Sequence, residues 1–311
     1  MEYEPVTHTT TDRRLSRHPS GTAVDATVHR YDGGSGPTVY LQAAQHGIEL
    51  NGPVALRHLH ERLADAELAG TVVAVPVANP LAFDHRSYVT PTAYDARNSN
   101  LNRVWPGDET GSFQERMAAR LWELVTDADA VVDLHTGTPD MLAHVRFSEG
   151  SDARVLAEAF GTDHLLADPD DGITGMLRNA AERAGIPTVT AELSNSRTVD
   201  RSAVEAGVRG VVNVLREMGA LEGRPAAPSD PTVLRNSLEH TVTEVSGLFE
   251  PRQSVAVGDR LEAGDTLGAV YRPTSFERLE TITVPEAGVV YSLTRGVVAE
   301  GERLAAVAAR R

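Results

Sequence analysis

Four short apolar runs, each ending in a cluster of His, Glu, Asn or Arg, constrain this chain more than any other feature. Residues 38–44 (TVYLQAA) lead into Gln45-His46-Gly47-Ile48-Glu49, and 71–77 (TVVAVPV) into Asn79-Pro80, Arg86 and Asn100-Leu101-Asn102-Arg103. Residues 130–134 (AVVDL) run into His135-Thr136-Gly137, and 187–192 (PTVTAE) end at Glu192. Helical patterns alternate with these strands. One starts near Gly52, with Pro53 suited to a first turn and Leu56, Leu59 and Leu63 on one face; another, 112–125, stripes Phe113, Met117, Leu121 and Leu124. Residues 176–184 and 204–218 read as two more helices. Strands alternating with helices predict an α/β sheet through the first ~220 residues. In such sheets ligands bind beyond the carboxyl ends of the strands, where all four clusters fall.

Composition narrows the chemistry available there. The 311 residues contain no cysteine, and all 29 basic residues are arginines. Disulfides, a cysteine nucleophile and a thiolate metal cage are excluded, as are Schiff bases, a P-loop lysine and a lipoyl or biotinyl attachment site. The net charge of −15 argues against a nucleic-acid partner, which needs a basic footprint. An acidic, lysine-free surface suits a salt-rich cytoplasm, although a GC-rich genome would also favour arginine over lysine. Residues 1–20 are polar and lack the apolar core of a secretory signal, and no run approaches the ~18 apolar residues that span a membrane. The expectation is a cytoplasmic protein without membrane contact, its homo-oligomerisation left open. There is no G-x-S-x-G, G-x-G-x-x-G, Walker A or H-E-x-x-H motif, and Gly33-Gly34-Ser35-Gly36 reads as a hairpin-like turn.

The texture changes after residue 222. A Pro/Ala linker (GRPAAPSDP, within 223–232) precedes short β-like runs spaced by glycines, as in Gly258-Asp259-Arg260-Leu261 and Gly301-Glu302-Arg303-Leu304. The predicted organisation is a catalytic α/β domain over 1–222 and a small all-β, barrel-sandwich-like domain over 233–311. That second domain is expected to pack on or gate the first, and without lysine it carries no prosthetic group.

His46-x-x-Glu49 with the distant His135 supplies two imidazoles and a carboxylate. Three protein ligands with an open fourth position are what a catalytic zinc requires, and the metal makes hydroxide available at neutral pH. His46 and Glu49 alone would also read as caps of the following helix. Asp133 either orients a ligating imidazole or is a strand residue bonded to backbone. Asn79-Pro80 reads as a turn, Trp105 as packing at a pocket rim, and His58, His60, His85, His144 and His164 as structural or exposed.

The order H-G-x-E, N-P-x-A-F…R, N-L-N-R-x-W-P-G, D-L-H-T-G and T-A-E-L resembles the succinylglutamate desuccinylase/aspartoacylase family, in its predicted deacylase branch, itself similar to zinc carboxypeptidases. The resemblance implies a three-layer α/β/α fold with a mixed sheet and a C-terminal β region. It implies one zinc ion per chain on His46, Glu49 and His135, and Glu192 as the general base. It also implies that Asn102 and Arg103 hold a substrate carboxylate and that Arg86 stabilises the oxyanion, with Arg97 as a substitute because the stretch from Arg86 to Asn102 is longer than in aspartoacylases proper. Arg178 is a further candidate for substrate contact. The function expected is removal of an acyl group from a small anionic N-acyl amino acid by cleavage of a non-peptide amide bond. A zinc carboxypeptidase acting on peptides and a non-enzymatic metabolite-binding relative are the alternatives.

Overall fold

The computed structural model describes residues 2–138, 140–169, 174–226 and 230–310, so 227–229 of the expected linker lie outside the described residues. The chain forms two compact units, 1–136 with 143–231, and 137–142 with 232–311. In chain order the first holds β1 (Glu4–Pro5), β2 (Thr7–Arg17), β3 (Ala23–Asp32), β4 (Gly34–Ala43), α1 (Asn51–Leu63), β5 (Glu67–Val75), α2 (Pro80–Asp84), a 3-10 turn (Leu101–Arg103), α3 (Phe113–Val125), β6 (Ala130–Thr136), β7 (His144–Ser148), α4 (Ala153–Phe160), β8 (His164–Asp168), α5 (Leu177–Arg183), β9 (Thr188–Leu193) and α6 (Arg201–Glu217).

Its sheet runs β8-β7-β9-β6-β4-β5-β3-β2. The centre, β9-β6-β4-β5, is parallel, whereas β7 meets β9, and β3 meets β5 and β2, antiparallel. The central strands are buried on both faces, as parallel strands must be, and their alternation sorts the core. Tyr40, Val73, Val75 and Val131 face Met117 and Leu121 of α3, Leu81 of α2 and Leu177 of α5. On the opposite face Gly52 of α1 lies against Ala43 and Leu134, and Gly207 of α6 against Leu193 and Ala55. The result is a three-layer α/β/α sandwich of the zinc carboxypeptidase-like type.

The N-terminal strands β2 and β3 carry no clear signal in the sequence; β2 is an outer strand exposed along most of its length, with Leu15 its buried residue. Gly34-Ser35-Gly36 is the start of β4, not a hairpin turn, since β3 and β4 both pair with β5 rather than with each other.

The second unit holds β10 (Thr232–Val242), β11 (Gly247–Pro251), β12 (Arg260–Leu261), β13 (Thr266–Tyr271), β14 (Arg278–Thr283), β15 (Gly288–Leu293), β16 (Gly296–Val298) and β17 (Arg303–Arg310), with no helix among the described residues. Antiparallel groups β14-β13-β11-β16 and β12-β15-β17-β10 enclose Phe249, Leu267, Val270, Val290 and Leu304. The segment 137–142 joins this unit, with Leu142 N–H donating to Tyr291 O and Leu293 N–H to Asp140 O. No helix among the described residues is long and apolar enough to cross a membrane.

Candidate active site

At the end of β4, Ala44 adopts a left-handed conformation (φ 51°), which turns the chain so that His46 and Glu49 precede α1. Gly47 between them is sterically required: a Cβ there would sit 2.0 Å from the carbonyl oxygen of Ala82. Asn51 opens α1 and grips the loop after β9, its amide donating to Ser194 O (2.7 Å) and its oxygen accepting from Asp200 N–H (2.8 Å). That clasp draws the strand end carrying Glu192 toward the one carrying Glu49. His135 lies directly opposite Glu192 in the parallel β6–β9 register.

His46, Glu49 and His135 are all buried and each offers one ligand atom within 4.8 Å of the other two. Glu49 holds both rings, Oε1 at 2.8 Å from His46 Nδ1 and Oε2 at 3.0 Å from His135 Nδ1; Oε2 also accepts from the Thr136 N–H. Burial alone would raise the Glu49 carboxyl, but the adjacent imidazoles pull it down to about 2. Burial would lower His135, and the charges of Asp133 and Glu49 instead raise it well above an ordinary imidazole. In both rings Nδ1 faces Glu49 while Nε2 meets an outer oxygen, Asp133 Oδ2 at 2.9 Å for His135 and Asn100 Oδ1 at 3.2 Å for His46. Metal-bound histidines have this arrangement, one nitrogen turned toward the other ligand atoms and the second anchored by an outer oxygen. The donor set therefore fits a zinc ion.

Asp133 anchors a buried polar chain. Its Oδ2 accepts from Gln45 Nε2 (2.7 Å) and its Oδ1 from Gln42 Nε2 (3.1 Å). Gln42 Oε1 accepts from the Tyr40 hydroxyl, and Gln45 Oε1 from the Trp105 indole (2.8 Å). Trp105 is thus part of the core beside Met117 and Leu121, not a rim residue. Asn79 caps α2, accepting from the Ala82 N–H, and donates to Gln45 O.

Glu192 is half-buried, and its carboxyl is raised by burial and by Glu49, opposed by His135, Arg146 and His46. Tyr88, unmarked by sequence reasoning although two residues from Arg86, stacks on His46 with ring centroids 4.1 Å apart. Its hydroxyl is raised by burial and then by Glu49 and Glu192, and lowered by His135 and Arg103; all four groups therefore bear on it. Asn102 Oδ1 accepts from the Leu177 N–H (3.0 Å), and its amide NH2 has no partner among the described residues. Arg103 is exposed and donates to the Asn102 carbonyl.

Arg86 is exposed, holds a left-handed φ of 52°, and lines a cleft of about 320 Å³ with Gly47, Ile48, Leu50, Phe83 and Arg197. Neither its guanidinium nor that of Arg97 has a hydrogen-bond or ion-pair partner among the described residues. The structure thus brings His46, Glu49, His135 and Glu192 together, and sets Arg103 in the same electrostatic field. It gives Arg86 no contact with the His/Glu group. Arg178 is buried and committed to Asp168 and the Ser148 hydroxyl, while Arg146, missed in the sequence, forks onto the same Asp168 at 2.7 and 3.1 Å.

The succinylglutamate desuccinylase/aspartoacylase catalytic domain matches residues 35–218, a span containing every residue just named from His46 to Glu192. The chain belongs to this family. It is a hydrolase of carbon–nitrogen amide bonds. The N-alpha-acetyl-L-2,4-diaminobutyric acid deacetylase of Halomonas elongata is 31% identical over 253 residues, 78% of this chain and 72% of that protein. A succinylglutamate desuccinylase/aspartoacylase from Rhodobacter sphaeroides superposes with a TM-score of 0.82 at 27% identity, covering 99% of this chain and 96% of its own. The ectoine utilization protein EutE (DoeB) of Ruegeria pomeroyi, solved with product bound, gives 0.82 at 25% identity over 99% and 100%.

Proposed function

We propose that this protein is a zinc-dependent deacylase that hydrolyses the amide bond of a small N-acyl amino acid, with an N-acetylated diamino acid the first substrate class to test. The observation that carries the reading is the buried His46–Glu49–His135 group, each outward nitrogen anchored, with Glu192 opposite His135 on the neighbouring strand. The Halomonas relative, named for acting on an acetylated diamino acid, supports the substrate class.

His46, Glu49 and His135 would hold the zinc, which supplies Lewis acidity and brings a water's pKa from ~15.7 toward ~7. Glu192 takes the proton from the attacking water and delivers it to the departing amine nitrogen. Its environment suits that exchange, since burial keeps its carboxyl raised and therefore basic. Arg103 and the free amide of Asn102 hold the substrate carboxylate, the guanidinium fork matching its two oxygens. Arg86, without a side-chain partner among the described residues, is the cation assigned to the developing oxyanion, with Arg97 as its substitute.

The experiment is a screen of N-acetyl and N-succinyl amino acids, N-acetyl-L-2,4-diaminobutyrate included, with metal content measured on the same preparation. The expected result is stoichiometric zinc, turnover of a small acylated amino acid, and a loss of about 10²–10⁴ in kcat for Glu192→Gln with zinc retained. Protein without zinc, together with a fully active Glu192→Gln variant, would overturn the reading. Efficient trimming of peptides would replace it with the carboxypeptidase alternative.

A further inference from the structure

A second cluster of imidazoles lies in the same unit, on elements that do not carry the site above. His8 on β2, His29 on β3 and His60 in the last turn of α1 each place one ring nitrogen within 4.8 Å of the others. The register of the β2–β3 ladder explains the pairing: His8 lies opposite Tyr31 and Thr10 opposite His29, so the two imidazoles are diagonal neighbours on one face. Their rings stack at 5.4 Å, with His8 Nε2 3.1 Å from His29 Nδ1, and His60 closes the group at 4.8 Å from His8 and 6.0 Å from His29. All three are partly exposed and can be reached from solvent.

We propose that His8, His29 and His60 form a second metal site, taking a divalent transition ion of the zinc, nickel or copper class and clamping the β2–β3 hairpin to α1. Three features favour an ion over a simple hydrogen-bonded cluster. Nitrogen–zinc bonds of ~2.05 Å in tetrahedral geometry set ligand nitrogens about 3.3 Å apart, so the 3.1 Å between His8 and His29 needs little adjustment. The Tyr31 hydroxyl, 2.9 Å from His60 Nδ1 and itself buried, fixes the third ring as outer partners of metal-bound histidines do.

The third feature is charge. The chain's net charge of −15 draws cations toward its surface. The partly exposed setting leaves a coordination position for water, with the Thr10 hydroxyl 3.5 Å from His8 Nε2.

The test uses full-length protein carrying no polyhistidine tag, stripped with chelator and titrated calorimetrically with zinc chloride, then nickel chloride. The His135→Ala variant disables the first group and is expected to keep one equivalent, which is lost when His8→Gln and His29→Gln are added. The His8→Gln/His29→Gln double variant in an otherwise native chain is expected to lose one equivalent and retain hydrolase activity. If His135→Ala binds no metal, or if the added substitutions leave its binding unchanged, the proposal is overturned.

A readout that does not depend on these substitutions is the melting temperature of His135→Ala. Zinc at a hundredfold excess over its Kd should raise it by roughly 5–10 °C. No rise would also overturn the proposal. A failure of the deacylase reading would show separately, as inactive protein that still binds zinc through this cluster.

Discussion

Replacing Asp133 by Asn changes one atom in the buried chain behind His135, and the surrounding hydrogen bonds set the cost. The carboxylate accepts at both oxygens, from Gln42 on one side and from Gln45 on the other, with His135 Nε2 sharing the second. An amide has one oxygen. If it faces His135 and Gln45, its NH2 confronts the Gln42 NH2, and flipping Gln42 to relieve this takes the acceptor from the fully buried Tyr40 hydroxyl. If it faces Gln42 instead, its NH2 confronts Gln45, whose flip would strand the Trp105 indole N–H. In every arrangement one buried donor is left without an acceptor, a cost of about 1–3 kcal/mol. At about 2–4 °C per kcal/mol for a unit of this size, the melting temperature of chelator-stripped protein should fall by about 2–12 °C. The anchor of His135 weakens as well, so zinc affinity should drop about 10–100-fold, or ~1.4–2.7 kcal/mol. Scanning calorimetry on stripped protein reads the first quantity and competition with a chromophoric chelator the second. A variant that melts within about 1 °C of the parent and binds zinc within about twofold would refute the view that Asp133 both supports the core and orients His135.

Asp95 organises the loop leading to Asn100, accepting from the backbone N–H of Arg97, Asn98 and Gln114; burial would raise its carboxyl, and these bonds lower it. Its folded value is depressed, so its contribution is present above the unfolded value of ~3.9 and lost as pH falls through the folded one. The melting-temperature gap between parent and Asp95→Asn should therefore be widest near neutrality and shrink in acid; a gap that is constant with pH would contradict this. Gly210→Ala would place a Cβ 2.2 Å from the ring of buried Phe160, an overpacking cost of about 1–3 kcal/mol that exceeds the ~1 kcal/mol gain in helix propensity. Denaturant unfolding should show a net loss, eased by Phe160→Leu in the same chain, and a stabilised Gly210→Ala would be a refutation. If the −15 charge is a salt adaptation, hydrolysis should persist or rise in molar potassium chloride; collapse there would remove the halophile reading and leave the catalytic one intact.

Elements of the fold are legible in the sequence where apolar periodicity is dense. The central strands and α1, α3, α5 and α6 bury one or both faces, and each emerges within a few residues of its observed bounds. The hairpin β2–β3 does not emerge. Thr7–Arg17 is an outer strand held by its ladder to β3, and such a strand needs little apolar patterning. The segment 137–142 is equally opaque, because its membership of the second unit rests on backbone bonds to Leu293 and Tyr291 that no side chain announces.

The site divides along a similar line. His46, Glu49, His135 and Glu192 are legible because strand ends concentrate function, and four such ends carrying chemical side chains form a pattern in one dimension. The residues supporting them are scattered. Gln42 and Gln45 look like ordinary polar residues in and after a strand until the fold sets Asp133 between them, and Trp105 reaches Gln45 across sixty positions. His8, His29 and His60 meet only because the outer strands fold back past the end of α1, so their convergence has no counterpart in spacing. Arg86 shows the reverse case. Its place in the motif order singles it out, yet its guanidinium stands in a cleft away from any observed partner. The role proposed for Arg86 therefore rests on the sequence motif alone, because the contacts of the described residues neither assign it nor oppose it.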